Sequence, residues 1–309
     1  MRDRGVKASA SVTAICAAMT LIVACGGAGP TAAPTQTPGP TAPLATPTAT
    51  VGHISHPSGS ADVVLRMESG GGLVPPGFFA TDAPIFTLYG DDTAIFRPAT
   101  DPTGTGLPPF VKATLDAAQV DSLLDFALTT GHLTTARHSY SVGGVYDAGT
   151  VTFTIDAGGI SKSVSVYALG ISNNQTNPES ADYAAFEQLS VLLGDFDKEI
   201  RLGHATSAGT YAPSQYRAIL IEAPGAQNPI AWPWDDVTLD DFAVVTGHAP
   251  ARLAAITSEQ AAKLTTVPSG GVRGVAVASR DGTRQFSLSL RPMLPGDTII
   301  PVPQGSLGL

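Results

Sequence analysis

Cysteine is nearly missing from this sequence: its 309 residues include two, Cys16 and Cys25, both close to the N-terminus. Beyond them no disulfide framework, cysteine nucleophile or thiolate metal site is available. Charge is sparse as well, at 14% of residues against roughly a quarter in an average soluble protein. Positive charge is the scarcer sign, with 17 Lys and Arg against 26 Asp and Glu and a net charge of −9. That balance argues against nucleic acid as a partner, because phosphate binding needs a basic face. Catalytic signatures are missing too. No G-x-S-x-G elbow, G-x-x-x-x-G-K-[ST] loop, G-x-G-x-x-G before a helix, H-E-x-x-H or EF-hand loop occurs. What is present is 43% apolar residues, enough for a core, in a length that allows one large or two small domains.

The chain opens on Arg2, Asp3, Arg4 and Lys7, and no further Asp, Glu, Lys or Arg occurs before Asp62. Ala8 to Ala24 is small and apolar, which after a basic start is the layout of a secretory signal peptide. The run closes on Ile22-Val23-Ala24-Cys25. These four residues resemble the lipobox of bacterial lipoproteins processed by signal peptidase II. The resemblance implies a diacylglycerol on the Cys25 thiol, a signal peptide over 1–24, cleavage before Cys25 and an acylated new amino group. It also implies a place at the cell membrane, lipid-anchored on the extracytoplasmic face. Two acyl chains, at about 0.8 kcal/mol per buried CH₂, suffice for stable anchoring. An acidic body near an anionic lipid surface is repelled from it.

Residues 25–61 read as a disordered tether, rich in Pro and Thr and free of charge. Nothing in them repays the entropy of ordering. A flexible coil of about 35 residues spans roughly 33 Å, and full polyproline II about 110 Å. His53 and His56 fall in this stretch at a metal-like spacing, and an unstructured pair is read as incidental.

From Asp62 the periodicity changes. Val63–Met67 reads as a strand, Ile85–Tyr89 and Thr93–Phe96 as a hairpin around Gly90-Asp91-Asp92, where the two acids supply turn chemistry. Asp116 with Gln119 has capping-box spacing, and Val120, Leu123, Leu124, Ala127 and Leu128 form one apolar stripe. A second hairpin follows over Val151–Ala168, then a helix carrying Phe186, Leu189, Leu193, Phe196 and Ile200. Thr257 with Gln260 repeats the capping box, and Val275–Leu290 repeats the closing hairpin. The expectation is an α+β fold of two similar strand–hairpin–helix–hairpin modules packed together. The first spans 62–178, a connecting helix 179–203 lies between them, and the second module with a Pro-rich tail spans 204–309. This module order, with a glycine-rich loop after the first strand, resembles bacterial envelope lipoproteins over most of 62–290 and carries no catalytic motif.

Two aromatic pairs, Phe78-Phe79 and Trp232 with Trp234, are candidate binding residues, since loop aromatics are enriched at recognition sites. The same pairs could instead plug a β-rich core. Asp235-Asp236 and Asp240-Asp241 are candidate calcium ligands, though they lack Asp-x-Asp alternation, and otherwise no cofactor is expected. His132, His138, His204 and His248 are the candidates for acid–base work, with helix-terminus and loop roles as the alternative. The expected function is a surface-exposed, non-catalytic module that binds an envelope protein, peptide or glycan. The alternatives are an envelope hydrolase with an Asp/His site on loops, and a structural spacer. On the anchoring expectation, Cys25→Ser abolishes lipid attachment; labelling with an alkyne fatty acid that still marks the variant would overturn it.

Overall fold

Alternation of apolar and polar residues builds a large antiparallel sheet. In the computed structural model, which describes residues 52–72, 81–101, 107–141, 144–171, 179–245, 251–264 and 270–299, β1 (Val63–Gly71) lies near its middle. The signal segment, Cys25, the tether up to residue 51, Phe78, Phe79 and His248 lie outside the described residues. β2 (Phe86–Tyr89) and β3 (Thr93–Phe96) form the expected hairpin. At its tip the Asp91 carboxylate accepts the Thr93 N–H at 3.2 Å, and Asp92 takes a φ of 61°. β4 (Val111–Thr114), β5 (Ser139–Ser141), β6 (Gly149–Ala157), β7 (Ile160–Tyr167) and β8 (Thr206–Thr210) complete the order β5-β7-β6-β1-β2-β3-β4-β8. Only the short β5–β7 pair is parallel.

One face of this sheet carries Leu65, Met67, Phe86, Leu88, Phe96, Phe153, Ile155, Val164 and Val166, and helices cover it. α1 (Ala117–Leu128) starts at the capping box read from the sequence. Asp116 accepts the Gln119 N–H at 2.9 Å, and the Gln119 amide oxygen accepts the Asp116 N–H at 2.8 Å. Its buried stripe is Val120, Leu123, Leu124 and Ala127. The connecting helix is two pieces, α2 (Ser180–Gly194) and α3 (Phe196–Arg201), broken at Asp195 with φ −123° and ψ 51°. It does not sit between two modules as expected. Phe186, Leu189, Leu193 and Phe196 all enter the core of the large sheet, where Phe186 meets the Tyr140 ring at 4.9 Å.

The second sheet is smaller. β9 (Gln215–Glu222), β10 (Ala243–Val245), β11 (Ala251–Thr257), β12 (Val272–Ala278) and β13 (Gln285–Pro292) run antiparallel in the order β10-β11-β9-β13-β12. α4 (Ser258–Ala262) follows β11 through the second capping box, Thr257 with Gln260. Both halves therefore place a capped helix directly after a strand, but the sheets are wired differently. The closing hairpin docks through its first strand in the large sheet (β6 on β1) and through its second in the small one (β13 on β9). Nor does the second unit begin at 204, because β8 is the edge strand of the large sheet, paired with β4. The fold is a mixed α+β arrangement of two sheets, and the described residues belong to one compact unit. Among them no helix is long and apolar enough to cross a membrane.

The two sheets meet on the face of the large one that the helices leave open. Tyr89, Ile95 and Phe110 pack there with Leu294, which follows β13, and the Tyr211 hydroxyl donates to the Met293 carbonyl at 3.0 Å. Arginines dominate the polar part of this seam. Arg291 donates to Asp297 at 2.8 Å, Arg217 to the Thr298 carbonyl at 2.6 Å, and Arg273 to the Thr81 hydroxyl at 2.7 Å. Arg97 lies 4.3 Å from the centre of the Phe110 ring.

The tether's expected end at residue 61 is also corrected. Residues 52–61 form a strap on the folded body. The Ile54 N–H donates to the Asp121 carboxylate at 2.7 Å, its side chain packs against the large core, and the Gly158 N–H donates to Ser55 at 2.8 Å. His56 is used here as well, bonding the Pro57 carbonyl at 2.7 Å. One aliphatic anchor and a set of backbone bonds outweigh a composition that otherwise reads as tether. Gly90 leaves room for the strap, since a Cβ there would collide with the Pro57 carbonyl oxygen. Gly90→Ala is expected to cost about 1–3 kcal/mol by forcing the backbone apart. Urea unfolding checks it; an unchanged midpoint would mean that the strap contributes nothing.

Candidate functional site

Of the two roles open to Trp232 and Trp234, recognition surface or core plug, their packing favours the core. Trp234 is 1% exposed, and its indole N–H donates to the Gln260 carbonyl at 2.9 Å. Trp232 is half-buried, with its N–H on the Val237 carbonyl at 2.7 Å. The two rings meet edge to face at 5.5 Å, and both touch Phe242. An apolar core close by and two carbonyl acceptors make burial the favourable outcome for both indoles. The guanidinium of Arg280 ties the same loop down by donating to the carbonyls of Trp234 at 2.8 Å and Asp235 at 2.9 Å.

The tryptophans thus brace a loop rather than expose it, and what they brace is a concavity. Asp236, Asp241 and Gln260 supply its polar lining, with Leu253, Ala254 and Ile299 among the apolar lining, in an open volume of about 400 Å³. Gln260 organises the polar side. Its backbone N–H and side-chain oxygen close the capping box of α4, its carbonyl holds Trp234, and its side-chain amide donates to Asp236 at 2.7 Å. Asp241 accepts both the N–H and the hydroxyl of Thr238, at 2.7 and 2.9 Å, closing a single 3-10 turn over Leu239–Asp241. Both carboxyls are held below the usual carboxylate range. For Asp236 the Gln260 amide is the main cause, and for Asp241 the Thr238 N–H. Hydrogen bonds to the charged form stabilise it, so both rim groups are anionic at neutral pH.

These bonds also account for the calcium expectation. Asp241 is turned to its own turn and Asp236 to Gln260, with Lys263 at 3.6 Å, while Asp235 and Asp240 are exposed. Among the described residues no three His, Cys, Asp or Glu side chains come together as a metal group. Asp241 serves as a turn cap, and Asp236 and Asp241 as rim charges.

The histidines are scattered. His138 bonds the Ser163 carbonyl at 3.1 Å, and His204 pairs with Glu199 at 2.7 Å on an exposed surface. His132 is different. It sits at the end of α1 with φ 56°, and its Nδ1 meets Asp182 of α2 at 2.9 Å, while the Tyr140 hydroxyl donates to the other Asp182 oxygen at 3.1 Å. Arg137 adds an ion pair to Glu179 and lies 4.7 Å from the centre of the Tyr140 ring. The sequence singled out His132 without its partners, because Asp182 is 50 residues away. Gln260 was legible as a cap; its second bond to Asp236 had no local signal.

No protein family, curated protein or solved structure matches the chain. The packing of the indoles makes its own prediction. Trp234→Ala is expected to cost about 3–5 kcal/mol, as for other large buried aromatics, and half-buried Trp232→Ala less. Paired denaturation curves measure both; a Trp234→Ala midpoint equal to wild type would contradict the core role.

Proposed function

We propose that the chain is a lipid-anchored, extracytoplasmic bacterial protein whose folded body is a non-catalytic binding module. In this reading Cys25 holds the membrane, the Pro/Thr-rich segment up to about residue 51 sets the standoff, and the concavity at Asp236, Asp241 and Gln260 receives the partner. The observation that carries it is the concavity's construction: two fixed anions over an apolar lining, on a loop braced by Trp232, Trp234 and Arg280. A surface already held in place loses little conformational entropy on binding. Fixed negative charge favours a partner of opposite sign and speeds its approach. A basic peptide segment of another envelope protein fits that chemistry better than a neutral glycan, and either could reach a body held away from the lipid.

A second reading, an envelope hydrolase, draws support from His132. Asp182 on Nδ1 fixes the ring, the arrangement that orients an imidazole as a general base. The same histidine also closes α1 through the left-handed turn that ends it, a purely structural task. Hydrolysis of ester or amide probes at the same rate by wild type and His132→Gln would remove this reading.

The binding reading is tested by titrating a short oligolysine peptide at low salt and following tryptophan fluorescence, since both indoles lie beside the concavity. Asp236→Asn, which keeps an acceptor for Gln260 but loses the charge, is expected to weaken binding severalfold. Asp91→Asn, on the distant hairpin, is expected to leave it unchanged. Equal weakening by the two would show attraction to the acidic surface as a whole and contradict a site at the concavity.

A further inference from the structure

The small sheet is short of a strand where the concavity lies. β11 runs over Ala251–Thr257, but its outer neighbour β10 pairs only with Ala251, Arg252 and Leu253. β9 continues beside the inner side of β11 as far as Thr257, while the outer side beyond Leu253 meets no strand among the described residues. The cause is local. The residue in register to face Ala255 is Asp241, and its N–H is turned back to the Thr238 carbonyl at 3.2 Å in the 3-10 turn. The opposite edge of the sheet is treated differently. There Ile230 bridges Val277, donating to the Ala276 carbonyl and accepting the Ala278 N–H, both at 2.9 Å.

The register fixes which backbone groups face this opening. In an antiparallel pair, residues that exchange both N–H···O bonds alternate with residues that turn away. The Ala223 N–H donates to the Gln285 carbonyl at 2.9 Å and the Met293 N–H to the Gln215 carbonyl at 3.0 Å, so the odd-numbered residues of β9 bond β13. Its even-numbered residues therefore bond β11, at Ala218 with Ala254 and at Tyr216 with Ile256. The Ser258 N–H continues that series by donating to the Ser214 carbonyl at 3.2 Å. Leu253, Ala255 and Thr257 turn their N–H and C=O groups the other way. Leu253 pairs with Ala243, and the Thr257 N–H donates to the Gln260 side-chain oxygen at 2.8 Å. Ala255 is left with a donor and an acceptor that have no partner among the described residues. It lines the concavity together with Asp236 and Asp241.

We propose that the concavity takes an extended basic peptide as a strand added beside β11, in line with β10, one of whose residues exchanges both backbone bonds with Ala255. This rests on the reading of the concavity as the binding site and adds how the partner is held. In strand addition main-chain bonds supply affinity, and side chains supply selectivity. A Lys or Arg of the peptide finds Asp241 in the same opening. One oxygen of that carboxylate caps Thr238, and the other has no hydrogen bond among the described residues. Asp236, already met by Gln260 and by Lys263 at 3.6 Å, adds a second negative charge. Leu253, Ala254 and Ile299 offer apolar surface to the methylene stem.

The test compares acetylated pentalysine with an analogue methylated at every peptide nitrogen. Both carry the same charge, but the analogue has no backbone N–H to donate, and its methyl groups block the approach to about 4.8 Å that paired strands require. Each is titrated calorimetrically into the full chain at low salt. Pentalysine is expected to bind about tenfold more tightly, or better, the effect of a lost backbone bond and an Ala255 carbonyl left unpaired. Amide exchange at Ala255, followed by NMR, is expected to slow about tenfold or more on saturation with pentalysine and to stay unchanged with the analogue. Equal affinities that both fall in Asp236→Asn, or an Ala255 amide that pentalysine does not protect, overturn strand addition while leaving the concavity as a binding site. No binding of pentalysine at all removes the binding reading and this proposal with it.

Discussion

Burying arginine between two sheets is the constraint on which the rest of this structure depends. The seam holds an apolar contact of Tyr89, Ile95, Phe110 and Leu294, but its polar part is a set of guanidinium groups that must find acceptors. Those acceptors come from the chain after β13: Asp297 takes Arg291, and the Thr298 carbonyl takes Arg217. The last described residues are therefore a structural clamp, and Ile299 one residue further on lines the concavity. Breaking one partner of a buried pair leaves the other charged and unpaired, which is more damaging than losing an exposed bridge. The exposed pair of Arg284 with Glu222 is of the second kind and contributes little.

The concavity has its own bracing. Its floor is sheet, its rim is a turn capped by Asp241, and its lining residues Val237 and Gln260 offer their carbonyls to the N–H groups of the two indoles. Gln260 connects three of these parts, so the capping box of a five-residue helix also fixes a rim carboxylate. Loops positioned by a rigid scaffold are where binding surfaces are commonly built.

Local patterns in the sequence were reliable guides where one residue's partner lies a few positions away. Both capping boxes, the β2–β3 turn and the alternation of Val151, Phe153 and Ile155 against Val164 and Val166 carry their own signals. Long-range pairings carry none. Thr206–Thr210 is exposed at every position, so neither hydrophobicity nor alternation marks it as the eighth strand of the large sheet. Residues 52–61 continue the composition of the tether, and Ile54 alone distinguishes the strap. The tryptophans were visible as a pair but not by their direction, which Val237, Gln260 and Phe242 decide from elsewhere in the fold. The arginines of the seam are spread from residue 97 to 291, and only the folded backbone brings them together.

If the seam joins the sheets as described, they unfold together. Both tryptophans of the chain report on the core of the small sheet, whereas the three helices packed on the large one dominate the far-ultraviolet circular dichroism. Guanidinium-induced unfolding followed by both signals measures the coupling directly, since coincident transitions are the test of one cooperative unit. A single shared midpoint for fluorescence and dichroism is expected. Two separated transitions, with the indoles exposed while the helical signal persists, would contradict it.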